Sequence, residues 1–173
     1  MSIKEFLDNY KNSFDKRSKA FIEECISYGM TEKEAKRYAK QKIFPGSIVD
    51  KIPTLDTSIY QTVTPQLKDR FLYAGSWKEI GETFLSIDAM IKLANKPKFK
   101  KWVKSMRENW EDSAPWIYLD KQLSVISVMS EDEGDYTLAV WNNPVEPEIW
   151  RYSGQSEQKF KDLLGWLNWL NGN

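Results

Sequence analysis

From Leu119 to the C-terminus the apolar positions come in three short runs separated by turn residues, then in one run at helical spacing. Gln122 to Met129 (QLSVISVM) is dense in β-branched and aliphatic side chains and predicts a strand. The acidic turn Glu131-Asp132-Glu133-Gly134 leads into a second strand, Asp135 to Trp141, which Asn142-Asn143-Pro144 breaks. A third run, Glu148 to Tyr152, stops at Ser153-Gly154. The closing helix is expected to carry Phe160, Leu163, Leu164, Leu167 and Leu170 on one stripe. Trp166 and Trp169 lie off that stripe and are expected to cover an end of the sheet.

The N-terminal pattern is helical from Ile3 to about Ile43. Ile3, Phe6, Leu7, Tyr10 and Phe14 share a face, as do Phe21, Ile22, Cys25, Ile26 and Tyr28. Gly29 is placed to stop this helix, and Thr31 with Glu34 three positions on forms a capping-box pattern for the next. Pro45-Gly46 ends the helical segment. Gly46 to Asp69, rich in Ser, Thr and Asp, reads as a loop that wraps the core. Arg70–Ala74 and Glu82–Leu85 read as short strands. Ser86 is a good N-cap for a helix with Asp88 in its first turn. Pro97 suits the start of another, with Phe99, Trp102, Val103 and Met106 on one side.

These elements make an α+β chain: an antiparallel sheet with a C-terminal β-β-β-α order, flanked by helices, behind a helical N-terminal segment at 1–44. With 173 residues and no internal repeat or linker, one domain over 1–173 is the simplest organisation. No apolar run approaches the length of a membrane span, and the first residues lack a signal-peptide layout. The one cysteine cannot make an intramolecular disulfide, so a cytoplasmic setting is expected.

Charge changes the picture next. Lysine plus arginine equal aspartate plus glutamate at 25 each, which does not favour nucleic acid as the partner. The charges are unevenly placed: Lys96, Lys98, Lys100, Lys101, Lys104 and Arg107 form a basic run, and Glu131, Asp132, Glu133, Asp135, Glu146 and Glu148 an acidic one. Two such poles suit protein–protein recognition. The basic run reads either as the solvated face of an amphipathic helix or as a contact for phosphates or an acidic partner.

The absence of histidine removes Ser-His-Asp and Cys-His systems and histidine-bearing zinc sites. Neither a Walker A loop nor a dinucleotide fingerprint occurs, and no cofactor is expected. Cys25, in an apolar helical run, reads as a small buried hydrophobe. The acidic turn lacks the ligand spacing of a calcium loop and reads as a solvated hairpin turn. Trp141 and Trp150, on successive strands, face either the core or an open side of the sheet, where tryptophan is a frequent binding anchor.

The segment from Phe84-Leu85-Ser86-Ile87-Asp88-Ala89-Met90, through Ser124–Val128, the acidic Gly-Asp turn and Asp135–Trp141, to Glu148–Tyr152 and Phe160–Leu170, resembles the SMI1/KNR4 (SUKH) superfamily. The resemblance covers about residues 84–170. It implies a bent antiparallel sheet flanked by helices and, in bacteria, an immunity protein that binds and neutralises a toxin domain such as a nuclease. It transfers no catalytic residue.

The leading expectation is therefore a non-enzymatic module for a protein partner. Its candidate contacts are Glu131, Asp132, Glu133, Asp135, Trp141, Glu146, Glu148 and Trp150. Alternatives are a regulatory or phage- or defence-related interaction protein using the same surfaces, a carboxylate-dependent hydrolase with two converging acids, and nucleic-acid binding through Lys98–Arg107.

Overall fold

The computed structural model describes residues 2–172. Helix α1 (Ile3–Asn12) opens with a capping box: Ser2 Oγ accepts the Glu5 N–H, and the Glu5 carboxylate accepts the Ser2 N–H at 2.6 Å. Its buried residues, Ile3, Phe6, Leu7 and Tyr10, keep one face on the core. Helix α2 (Phe14–Ser27) buries none of its residues, and α3 (Glu32–Tyr38) buries Ala35 alone. Cys25 is half-buried, not enclosed as its apolar neighbours suggest, because α2 lies along a projecting arm. The Thr31–Glu34 capping box forms as the spacing predicts, and Gly29 sits at φ +90° after α2.

The helical segment ends at Tyr38, earlier than the pattern implies. Lys42–Pro45 is strand β1, an edge strand paired antiparallel with β4 (Ala74–Glu79). The stretch read as a loop holds more structure than that. Strands β2 (Lys51–Pro53) and β3 (Tyr60–Thr62) make a separate two-stranded antiparallel sheet, and Pro65 begins helix α4 (Pro65–Tyr73). Arg70–Tyr73 is thus the end of a helix, not a strand. The buried Leu67, Arg70 and Phe71 follow a 3.6 period that a five-residue window cannot show.

Strand β5 (Glu82–Phe84) follows, then α5 (Ile87–Asn95), capped by Ser86 Oγ on the Ala89 N–H. Helix α6 (Pro97–Asn109) has proline in its first turn, and Phe99, Val103 and Met106 are buried, as their spacing predicts. A short helix α7 (Ala114–Ile117) and a 3-10 turn at Asp120–Gln122 lead into the last sheet segment. Four strands complete it: β6 (Leu123–Ser130), β7 (Asp135–Val140), β8 (Glu148–Ser153) and β9 (Ser156–Phe160), before α8 (Leu163–Gly172). The fourth strand is polar and exposed along one edge, so it carries no apolar signature, and Phe160 belongs to it and not to the helix. The main sheet runs β1-β4-β5-β6-β7-β8-β9 with every pair antiparallel. The molecule is α+β, as the hydrophobic pattern predicts.

Register places Tyr136 opposite Val128 and Thr83 opposite Val128, so Phe84, one step along, faces the other way. On one face Phe99 and Trp102 of α6 meet Tyr136 and Tyr152 edge-on at 4.8–5.4 Å. On the other, Tyr10, Trp77 and Phe84 pack on one another, and Phe84 meets the Trp166 ring of α8. Trp166 is 0% exposed, so it fills the core and does not cover a sheet end. Gly134 ends the acidic turn at φ +76°, and a Cβ there would stand 2.9 Å from Trp102 Cδ1. Both facts require glycine. Among the described residues no helix is long and apolar enough to cross a membrane.

Candidate functional site

The acidic turn between β6 and β7 lies against the basic start of α6, and two ion pairs join them. The Lys96 ammonium bridges both Glu131 oxygens at 2.8 Å, and Lys98 Nζ reaches Asp132 Oδ1 at 2.5 Å. The Lys98 hydrogen bond holds the Asp132 carboxyl below its usual range. Asp135 is buried and accepts the Gly154 N–H at 2.8 Å, where it joins the β6–β7 turn to the β8–β9 turn. Glu133 alone of the four is an exposed acid with no ion pair among the described residues. An acidic patch free to attract a partner is therefore not what this turn presents. Further along α6, Arg107 pairs with Asp120 at 2.7 Å and Lys104 lies 3.7 Å from Glu108.

The other four sequence candidates gather at the opposite end of β7. The Trp150 ring is buried under Lys159 Nζ, 3.8 Å from its centroid, and its Nε1–H donates to Glu148 at 2.8 Å. Trp141 is half-buried and its indole N–H donates to Ser124 Oγ at 2.9 Å. Glu146 reaches across to accept the Gln66 N–H at 3.0 Å in the first turn of α4. Thus Trp150 is a core residue, and Glu146 and Glu148 serve internal hydrogen bonds.

Beside these four stands a group of side chains that the strand and helix patterns did not single out. Trp116 and Ile117 of α7 are about half exposed, Leu119 is 61% exposed, and Val145 in the β7–β8 loop is 70% exposed. Tyr118 ties them together: its ring meets Trp150 edge-on at 6.0 Å, and its hydroxyl accepts the Asn142 amide at 3.2 Å. The β2–β3 hairpin borders the same region through Gln61 Nε2, which donates to the Lys121 carbonyl at 2.9 Å, and adds the exposed Ile59 and Tyr60. The sequence signal was present in Trp116-Ile117-Tyr118-Leu119, four apolar residues in a row, but such a run reads equally well as a buried strand.

Two clefts flank this surface. One, of about 520 Å³, runs between α6 and the β2–β3 turn, with Lys100, Lys104 and Arg107 on one wall and Asp56, Thr57 and Asp120 on the other. The second, of about 420 Å³, has Gln61, Thr62 and Thr64 on one wall and Trp141, Asn142 and Asn143 on the other. No lining side chain of the second ionises.

Two buried carboxyls sit elsewhere, as the cross-strand pair Glu79 and Glu82 of β4 and β5. Glu79 accepts from Arg17, Gln41 and the Trp77 indole. Glu82 lies against Ser127 Oγ, with Arg151 at 3.6 Å, and burial pushes its carboxyl up to about 7. Among the described residues no group of three or more His, Cys, Asp or Glu is placed to hold a metal ion. Comparison with protein-family models, with curated proteins and with solved structures found no match to this chain.

Proposed function

We propose that the chain is a non-enzymatic protein-binding module, an immunity protein of the SMI1/KNR4 (SUKH) type that neutralises a toxin domain, such as a nuclease, in the cytoplasm. The observation that carries the binding reading is the exposure of Trp116, Ile117, Leu119 and Val145 on α7, the segment after it and the β7–β8 loop, regions that Tyr118 ties together through Trp150 and Asn142. Neighbouring exposed apolar side chains that include a tryptophan are the usual anatomy of a docking surface. The toxin reading draws on the resemblance over residues 84–170 and on an antiparallel sheet flanked by helices, the architecture that resemblance implies. Attraction by the acidic turn is not part of the reading, because Lys96 and Lys98 cancel most of its charge. The non-catalytic part is supported by Glu82. Among the described residues it is the one side-chain carboxyl raised towards neutrality, and at 3% exposure it is out of a substrate's reach.

The test is capture from a lysate of the native host with the tagged chain and with a Leu119→Asp/Val145→Asp variant whose circular dichroism matches wild type. Wild type is expected to retain a protein that the variant loses. That protein, expressed alone, is expected to arrest growth, and co-expression of the wild-type chain to relieve the arrest. Equal capture by the variant, or a captured protein harmless to the cell, overturns the proposal.

A further inference from the structure

We infer that the cleft between β3 and the β7–β8 loop receives an extended, uncharged segment of the partner protein, with an Asn, Gln, Ser or Thr side chain hydrogen-bonded to the Thr64 hydroxyl. This rests on the reading of the chain as a protein-binding module.

Thr64 is the starting point. It holds the N-cap position of α4 with extended backbone (φ −78°, ψ 163°), where threonine ordinarily accepts a backbone N–H of the first turn. Here it caps nothing. Glu146 has taken the Gln66 N–H from across the chain, and Thr64 Oγ1 is buried without a partner at 8% residue exposure. Glu146 Oε2 is likewise buried and unpartnered. An orphan hydroxyl and an orphan carboxylate oxygen cost free energy unless something supplies their hydrogen bonds. Thr64 lines the cleft, and its hydroxyl, closed to solvent in the free protein, takes up its bond when an occupant's side chain draws it outward.

The walls state what kind of occupant fits. Threonine, glutamine and asparagine offer donors and acceptors, and Trp141 offers apolar ring surface. No charged side chain lines the cleft, so a charged group entering it would lose water without gaining a counter-ion. The main chain adds a direction. β3 is paired on one side only, by β2. The hydrogen bonds of Ile59 and Val63 with Thr54 and Asp50 face β2, so by alternation Tyr60 and Thr62 turn their main-chain groups away from it. Thr62 lines the cleft, and an extended segment can pair along this open edge while alternate side chains enter the cleft.

The experiment pans a random dodecapeptide display library on the immobilised full chain. Enriched peptides are then measured by fluorescence anisotropy against wild type, Thr64→Val and Leu119→Asp. Expected peptides are uncharged and carry Asn, Gln, Ser or Thr, and Thr64→Val weakens them about fivefold, the worth of one hydrogen bond. Thr64→Val is also expected to raise the thermal midpoint, since it removes an unsatisfied hydroxyl from the free protein. That opposite movement of stability and affinity separates a ligand-facing hydroxyl from a structural one. No enrichment, a charged consensus, unchanged affinity in Thr64→Val, or a lowered midpoint each overturns the inference. Peptides lost by Leu119→Asp but not by Thr64→Val sink it while leaving the binding-module reading intact. Failure of the lysate capture, with enriched peptides still weakened by Thr64→Val, sinks the immunity-protein reading and leaves the cleft as a peptide-binding site.

Discussion

Arg17 and Glu79, 62 positions apart, are joined by a 2.7 Å ion pair that fastens the projecting α2–α3 arm to the sheet. Gln41, at the far end of the arm, donates to the other oxygen of the same carboxylate at 2.9 Å. Both roots of the arm therefore converge on one buried side chain. The Arg17 guanidinium also stacks over Tyr10, 3.8 Å from the ring centroid, and donates to the Tyr10 carbonyl. Because α2 buries none of its own residues, this polar junction carries what packing does for the other helices.

Glu79→Ala should accordingly loosen the arm before it harms the sheet. Removing one partner of a buried pair typically costs about 3–5 kcal/mol, here with the Trp77 indole N–H also left unpaired. Hydrogen exchange is expected to rise across 14–38 while the amides of β6 and β7 stay protected. Uniform exchange throughout would show that the arm is not an independent unit.

The pH dependence of stability follows from Glu82. Ser127 Oγ lies against both the Glu82 carboxyl and the Thr83 carbonyl, and one hydroxyl has a single proton to give. A carboxyl that keeps its own proton suits this pair. With a folded value of about 7 against 4.5 for the free side chain, the folded state holds a proton that the unfolded chain releases. The Glu82 contribution is fully present below about 4.5 and is lost as pH rises through about 7; it totals on the order of 3 kcal/mol. Asp135 adds to the rise, and Arg151 opposes it. Urea denaturation of wild type and Glu82→Gln across this window should show the slope in wild type and its loss in the variant. Parallel curves would assign the proton elsewhere.

Trp166→Ala removes a ring that is wholly enclosed between α8 and Phe84. Burial of this kind costs about 3–5 kcal/mol when truncated to alanine. The expected reading is a matching fall in chemical-denaturation stability. A change under about 1 kcal/mol would contradict its place in the core.

Reversing the acidic turn tests whether charge or apolar area makes the docking surface. Glu131→Lys/Asp132→Lys breaks two surface ion pairs, which contribute little to stability. Partner association and its salt dependence should stay near wild type, while Leu119→Asp abolishes binding. Slowed association in the charge variant with Leu119→Asp unaffected would return the interface to the acidic turn.

Elements with a long or strongly punctuated period were legible from the chain alone. The N-cap at Ser86, the capping box at Thr31, the proline-started α6, the strands β6, β7 and β8 and the antiparallel α+β class all follow from local spacing and turn chemistry. The short or polar elements were not. Lys42–Pro45 and Ser156–Phe160 are strands because a neighbouring strand supplies their hydrogen bonds, not because of their own composition. Half of the candidate site was likewise visible as residue types but not as roles. Trp150 and Glu148 satisfy one another, and Glu146 caps a helix that begins 81 positions earlier.

What the residues determine by themselves is an inventory: no histidine, one thiol, balanced charge, and a hydrophobic pattern that folds as sheet and helix in a set order. Tertiary structure decided which of those side chains are spent inside and which remain available. It brought Lys96 and Lys98 against Glu131 and Asp132, enclosed Trp166, and left Leu119 and Val145 uncovered. The physical reason is range. Backbone propensity and capping act over three or four residues, whereas charge neutralisation and exposure depend on groups that only the folded chain brings within a few ångströms.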